Sequence, residues 1–345
     1  MNSCLAAERY DVTPLPFIPF SNTGGEALNN NGVVAGGIAN SDGSVSLAEW
    51  SKGVLTDLGL PPGLPSHEFN MPRVFGINDH GAVVGTIHTS AGDLPSRWFI
   101  YERGRFTVLP LADPMDLGGA AIGINNRGEV VGYDHTSSNK LVGWLWSNGA
   151  YSRLPISGTS TAALGINSSG TIIGNRRLRF VRRLLTGQLR STGERGYVLN
   201  HGTTQYLAGF VYAINDLSEG AGGTISNGQA MATVFKNGIA TVIVSLPSSA
   251  VGINSAATVV GSYQPADCKR RHLFSWSANS GAFDLTPDGY HSAEAAAIND
   301  RGDILGFGET VSGKSGYFFL TPDPNGGLMP KALITAPPAG ARFLS

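Results

Sequence analysis

Gly308-Glu309-Thr310-Val311-Ser312-Gly313-Lys314-Ser315 matches the phosphate-cradling pattern G-x-x-x-x-G-K-[ST] letter for letter. Such a loop holds phosphate only between a strand and a helix N-terminus, because the helix supplies aligned N–H groups. Here Gly316-Tyr317-Phe318-Phe319-Leu320 follows, an aromatic and apolar run that reads as a strand, so a hairpin is expected. Arg301-Gly302-Asp303 spells an integrin-type tripeptide, at a point where a hairpin turn itself demands polar-Gly-polar. The seven histidines (His67, His80, His88, His135, His201, His272, His291) show no paired metal-ligand spacing. His67-Glu68 begins an HExxH phrase, but Met71 stands where the second His is needed. There is no G-x-S-x-G nucleophile elbow, and Asn40-Ser41-Asp42-Gly43 does not complete a sialidase Asp-box. Asp113, Asp116, Asp134, Asp267 and Asp288 fall in expected connections. Glycosidase chemistry would require two carboxyls about 5 to 9.5 Å apart. The sequence therefore assigns no catalytic residue, no cofactor and no metal ligand.

The densest charge is basic. Arg176, Arg177, Arg179, Arg182, Arg183, Arg190 and Arg195 share a short stretch with a single acid, Glu194. Residues 176–190 form the best helix candidate, with Leu178, Phe180, Val181, Leu184 and Leu185 interleaved. Such an insertion, carrying Arg176, Arg177, Arg179, Arg182 and Arg183, could contact an anionic surface electrostatically. A solvated insertion is the plainer reading.

These residues are set in a chain that repeats itself. One phrase recurs as LNNNGVVAGG from Leu28, GINDHGAVVGT from Gly76, GINNRGEVVGY from Gly123 and GINSSGTIIGN from Gly165. It returns as AINDLSEGAGGT from Ala213, GINSAATVVGS from Gly252 and AINDRGDILGF from Ala297. Its asparagines are Asn29, Asn78, Asn125, Asn167, Asn215, Asn254 and Asn299, spanning 270 residues in six intervals, a mean of 45. A polar ring or a metal site is conceivable for seven equivalent asparagines. Their spacing to the turn glycine gives them a structural turn role instead.

Each unit contains four short strand-like segments joined by turn chemistry: the segment ending in Ile-Asn, a β-branched pair, an aromatic segment, and a last segment after a turn glycine. Seven units of four antiparallel strands define an all-β, seven-bladed β-propeller. The last unit lacks a clear fourth strand. Arg105-Phe106-Thr107-Val108-Leu109-Pro110 resembles Arg9-Tyr10-Asp11-Val12-Thr13-Pro14-Leu15-Pro16, so residues 9–15 are expected to pair with blade seven and close the ring. Leu328–Thr335 is the competing segment. The expected organisation is a disordered terminus over 1–8, whose Cys4-Leu5-Ala6-Ala7 looks like a signal-peptide remnant, one propeller over 9–322, and an irregular tail over 323–345.

Composition agrees with this. Gly is 47 of 345 residues and charged residues are 14%, about half of ordinary usage. A net charge of −1 gives no overall attraction to nucleic acid or an anionic membrane, and no apolar run is long enough for a transmembrane helix. Two cysteines, Cys4 and Cys268, do not make a disulfide framework.

The phrase GINNRGEVVGY, followed by an aromatic strand, a turn glycine and a segment like VLTDLGLPPG, resembles the bacterial HAF-family extracellular repeat over about residues 9–320. The resemblance implies an extracellular or periplasmic location and supplies no catalytic residues. The expected function is a secreted or surface-exposed binding scaffold, monomeric, with an unknown protein or carbohydrate as partner and no specific nucleic acid. Its loops would bind at one end of the axis, the end carrying the connections Pro61–Arg73, Pro110–Ala121 and Thr286–Ala296. The alternative is a carbohydrate- or peptide-acting hydrolase or lyase with an axial active site.

Overall fold

A computed structural model describes residues 9–17, 26–41, 45–60, 72–87, 97–111, 113, 115–158, 160–177 and 194–333. Every regular element among them is a β-strand. Blade three shows the plan: Gly119–Ile124, Val130–His135, Leu141–Ser147 and Ala150–Arg153 pair antiparallel in that order from the axis outward. Seven such sheets surround the axis as a seven-bladed β-propeller.

The doubled β-branched residues of the repeat have a simple cause. Successive strand residues face opposite sides of a sheet, and each blade is covered on both sides. Val83 packs toward blade one and Val84 toward blade three. Val130 and Val131, Ile172 and Ile173, and Val259 and Val260 divide in the same way. The result is seven apolar clusters, one at each blade junction.

The glycine that follows each pair is fixed by close approach. Gly85, Gly132, Gly174, Gly261 and Gly306 pair across the sheet with Phe99, Trp144, Tyr197, Phe274 and Phe318, whose rings lie over them. A Cβ on Gly132 would overlap the Ala120 carbonyl and sit 2.7 Å from the Trp144 ring. Gly132→Ala is therefore expected to destabilise the ring by about 2 kcal/mol, seen as a lower urea midpoint. Gly316→Ala has nothing within 4 Å of the added carbon and should leave the midpoint nearly unchanged.

The turns between third and outer strands place both central residues at positive φ, as in Lys52-Gly53, Arg103-Gly104, Asn148-Gly149, His201-Gly202 and Asn237-Gly238. That is the type I′ geometry, whose twist matches the strands it joins.

The ring is closed by chain ends. Tyr10–Pro14 supplies the outer strand of blade seven, antiparallel to Ser315–Pro322. The C-terminal segment does not compete for that edge. Leu328 bridges the far side of Tyr10, and Lys331–Ala332 adds a fifth strand to blade six beside Gly281–Asp284. The expected terminus at 1–8, most of the tail and most of the arginine insertion lie outside the described residues.

Candidate functional site

The inner strands end at the seven repeat asparagines, which carry two jobs each. Every Oδ1 accepts the backbone N–H groups two and four residues on, as Asn125 does from Arg127 and Glu129, both at 3.0 Å. This fixes the hairpin. Every Nδ2 then donates sideways to the asparagine carbonyl of the next blade: Asn29 to Asn78, Asn78 to Asn125, Asn125 to Asn167, Asn167 to Asn215, Asn215 to Asn254 and Asn254 to Asn299. Asn299 donates back to Asn29 at 3.0 Å, which completes a closed hydrogen-bonded circle. The seven side chains are 3–6% exposed. Seven equivalent asparagines make a polar ring conceivable, but their spacing is explained by the turn alone; the structure gives them both roles, the lateral circle existing only once the ring is shut.

Above the circle lies an axial bowl of about 180 Å³. Its rim is the residue after each asparagine: Asn30, Asp79, Asn126, Ser168, Asp216, Ser255 and Asp300. These also link neighbouring blades. Asp79 accepts the Asn30 N–H at 2.8 Å and the Asn126 carboxamide at 2.8 Å. Asp216 accepts the N–H and the hydroxyl of Ser168, both at 2.9 Å. Asp300 accepts the Ser255 N–H at 2.7 Å and donates its own N–H to Asn30. Among the described residues the lining holds three carboxylates and no lysine or arginine. Nor, among the described residues, is any group of His, Cys, Asp and Glu arranged to hold a metal ion.

This bowl sits at the hairpin end of the axis, opposite the connections that the sequence singled out as the binding end. Of those connections, residues 61–71, 112 and 114 lie outside the described set. The five acids expected in connections do not gather in one place, and only Asp113 and Asp116 share surroundings. Asp134 is instead part of a strand and accepts the Trp144 indole N–H at 3.0 Å. Asp113 and Asp116 share one turn, with burial and then Asp113 holding the Asp116 carboxyl above the ordinary range. Asp267 lies near the Tyr263 phenol, and Asp288 is 4.0 Å from the exposed Lys331.

Other sequence motifs resolve into packing. Arg301 and Asp303 pair with each other, Asp303 is buried and also accepts from Asn299, and the guanidinium covers Gly32 of blade one. The tripeptide is thus a latch between blades. The phosphate-loop lookalike is a hairpin between Ile304–Thr310 and Ser315–Pro322, with a strand rather than a helix after it. In the arginine stretch, Arg176 donates to the Ser157 carbonyl at 2.8 Å and stacks 3.5 Å over the Tyr206 ring. Arg177 ends the strand Ile172–Arg177, while Arg179, Arg182 and Arg183 lie outside the described residues.

No family model matches the chain, and no curated protein matches it. Solved structures do resemble its fold. The beta-propeller domain of the Trilobed protease from Pyrococcus furiosus, described as having an open velcro topology, superposes with a TM-score of 0.57 at 10% identity, covering 96% of this chain and all of that one. A chain of the Mitotic Checkpoint Complex gives 0.54 at 10% identity over 91% of this chain and 92% of that one. A Mycobacterium tuberculosis puromycin-hydrolyzing peptidase gives 0.58 at 10% identity, covering 95% of this chain and 57% of that one. At this identity the likeness concerns the fold alone.

Proposed function

We propose that this chain is a secreted or surface-exposed binding propeller built of HAF-type repeats, and that its ligand seats in the axial bowl. The carrying observation is the rim itself, to which all seven blades bring one carboxylate, carboxamide or hydroxyl. Loops that converge on an axis create a shared polar concavity, which is a common way for propellers to hold ligands. The acidic rim suits a ligand with amine or hydroxyl groups, such as a lysine side chain of a protein partner or a sugar unit. A hydrolase needs an acid and a base free to face substrate. Here each rim carboxylate already accepts hydrogen bonds from a neighbouring turn, which favours holding over turnover.

Exchanging Asp79, Asp216 and Asp300 together for asparagine tests this. Asn126 already accepts the Asp79 N–H at 2.8 Å through a carboxamide oxygen, so an asparagine can still accept each turn N–H, although the Asn30 and Asn126 carboxamides lose the Asp79 oxygen they share. A glycan and amine binding screen should show ligands whose affinity falls at least about tenfold in the triple variant, with unchanged circular dichroism. Equal affinity in both proteins would move the site elsewhere. Surface proteolysis of intact cells producing the full-length protein tests the location.

A further inference from the structure

A second cavity, of about 410 Å³, opens where blade one meets blade seven. It is lined by Trp50 and Lys52 of blade one, by Arg301 and Asp303 of the blade-seven hairpin, and by Phe319, Thr321 and Pro322. Its position follows from how the ring closes. In blade one a type I′ turn carries the chain from the third strand, Val45–Ser51, to the outer strand, Val54–Gly59. In blade seven the outer strand comes from the other end of the chain, and the turn after Pro322, Asp323–Gly326, leads on to Leu328 on the far side of Tyr10 instead of into that strand.

The charges in this groove are unequal. Asp303 is matched by Arg301, which donates to it through Nε and one terminal nitrogen. Lys52 has no ion pair among the described residues, so the lining carries one uncompensated cation. The floor is aromatic: Trp50 meets Phe319 edge to face, with centroids 5.3 Å apart. Pro322 extends that apolar wall. An ammonium at the rim of an apolar slot recognises a molecule with an anionic head and a flat apolar body.

We propose that this seam groove is a binding site for a small aromatic carboxylate. The carboxylate pairs with Lys52 beside the unengaged edge of Arg301, and the ring lies against Trp50 and Pro322. The site is separate from the axial bowl and stands whether or not the bowl binds anything. Because its walls come from the first and last blades, occupancy ties the two ends of the ring together, and native-state binding raises stability.

The test uses benzoate and indole-3-acetate against their neutral amides, with the whole chain. The indole N–H signal of Trp50, assigned by Trp50→Phe, reports the groove. Carboxylates should shift that signal and slow hydrogen exchange in Tyr10–Pro14, while the amides should bind at least about tenfold more weakly. Lys52→Asn removes the charge yet keeps a residue that tolerates the positive φ of 48° there. It should weaken carboxylate binding about tenfold and leave the urea midpoint in place. Equal binding of acid and amide, unchanged affinity in Lys52→Asn, shifts confined to the axial bowl, or no binding by either acid at about 5 mM, a concentration where even a weak site with −4 kcal/mol of binding energy fills, would each overturn the proposal.

Discussion

Replacing Asn125 by alanine is expected to destabilise the whole ring by about 4 kcal/mol, although one exchange touches one blade. Four hydrogen bonds vanish together: those from the Arg127 and Glu129 N–H groups, and those that the carboxamide donates to the Asn167 carbonyl and the Glu129 carboxylate. A buried donor left without an acceptor loses about 1–3 kcal/mol. Asn125→Asp separates the two jobs of the side chain. Its carboxylate still accepts from the hairpin, but it faces both the Asn167 carbonyl and the Glu129 carboxylate with an oxygen where a donor stood. The aspartate variant should be destabilised at neutral pH and partly restored as acid protonates it, whereas the alanine variant should show no such recovery. Urea denaturation followed by near-ultraviolet circular dichroism at pH 7 and pH 5 checks both. An alanine variant within about 1 kcal/mol of the parent would mean that the circle is ornamental and that apolar packing alone shuts the ring.

The same asparagines show what a sequence discloses about such a fold and what it withholds. Doubled β-branched residues, turn glycines and a 45-residue spacing are local, so Val130-Val131 and Asn148-Gly149 announce strands and turns directly. The fourth strand of blade seven is legible because Tyr10-Asp11-Val12 repeats the chemistry of Phe106-Thr107-Val108. The lateral circle is not, since its partners are about one repeat apart and each donor sees only the next blade. The axial bowl at the hairpin end is not legible for a related reason. Long connections draw attention as loops, but the bowl is built from the shortest hairpins, through Asp79, Asp216 and Asp300, residues that a turn already accounts for. In the arginine stretch a count of charges does not disclose that Arg176 donates to Ser157 and stacks on Tyr206, while Arg179, Arg182 and Arg183 lie outside the described residues. Glu26 gives no signal at all, because a lone acid before Ala27-Leu28 looks like any solvated residue until blade seven closes over it.

That glutamate should cost the ring stability as pH rises from mildly acid to neutral. Glu26 enters blade one at the junction with blade seven and is 8% exposed. Burial, only partly offset by the nearby Tyr317 hydroxyl, pushes its carboxyl up to about 8, and neither oxygen completes a hydrogen bond of good geometry. Burial, and after it the same carboxyl, hold the Tyr317 phenol above its ordinary range, with Arg73 opposing them. In the unfolded chain the group ionises near 4.5, so below that pH it is neutral in both states and has no effect on folding. Between pH 4.5 and 8 the unfolded chain releases the proton while the native ring retains it, and stability drains away as pH rises. At pH 7 the loss approaches about 3 kcal/mol, because every pH unit climbed within that window costs the native ring about 1.4 kcal/mol. Glu26→Gln should abolish this slope. Its amide brings donors of its own into the junction, so its absolute stability relative to the parent is set by how they are accommodated. The difference between the two proteins, however, should move in favour of the glutamine variant by about 3 kcal/mol from pH 4.5 to pH 7 and level off above pH 8. Parallel urea midpoints across that range would show that the carboxyl is hydrated and ionised in the native ring, and hydrogen exchange in Tyr10–Pro14 would then show no loosening of the seam with rising pH beyond the chemical rate.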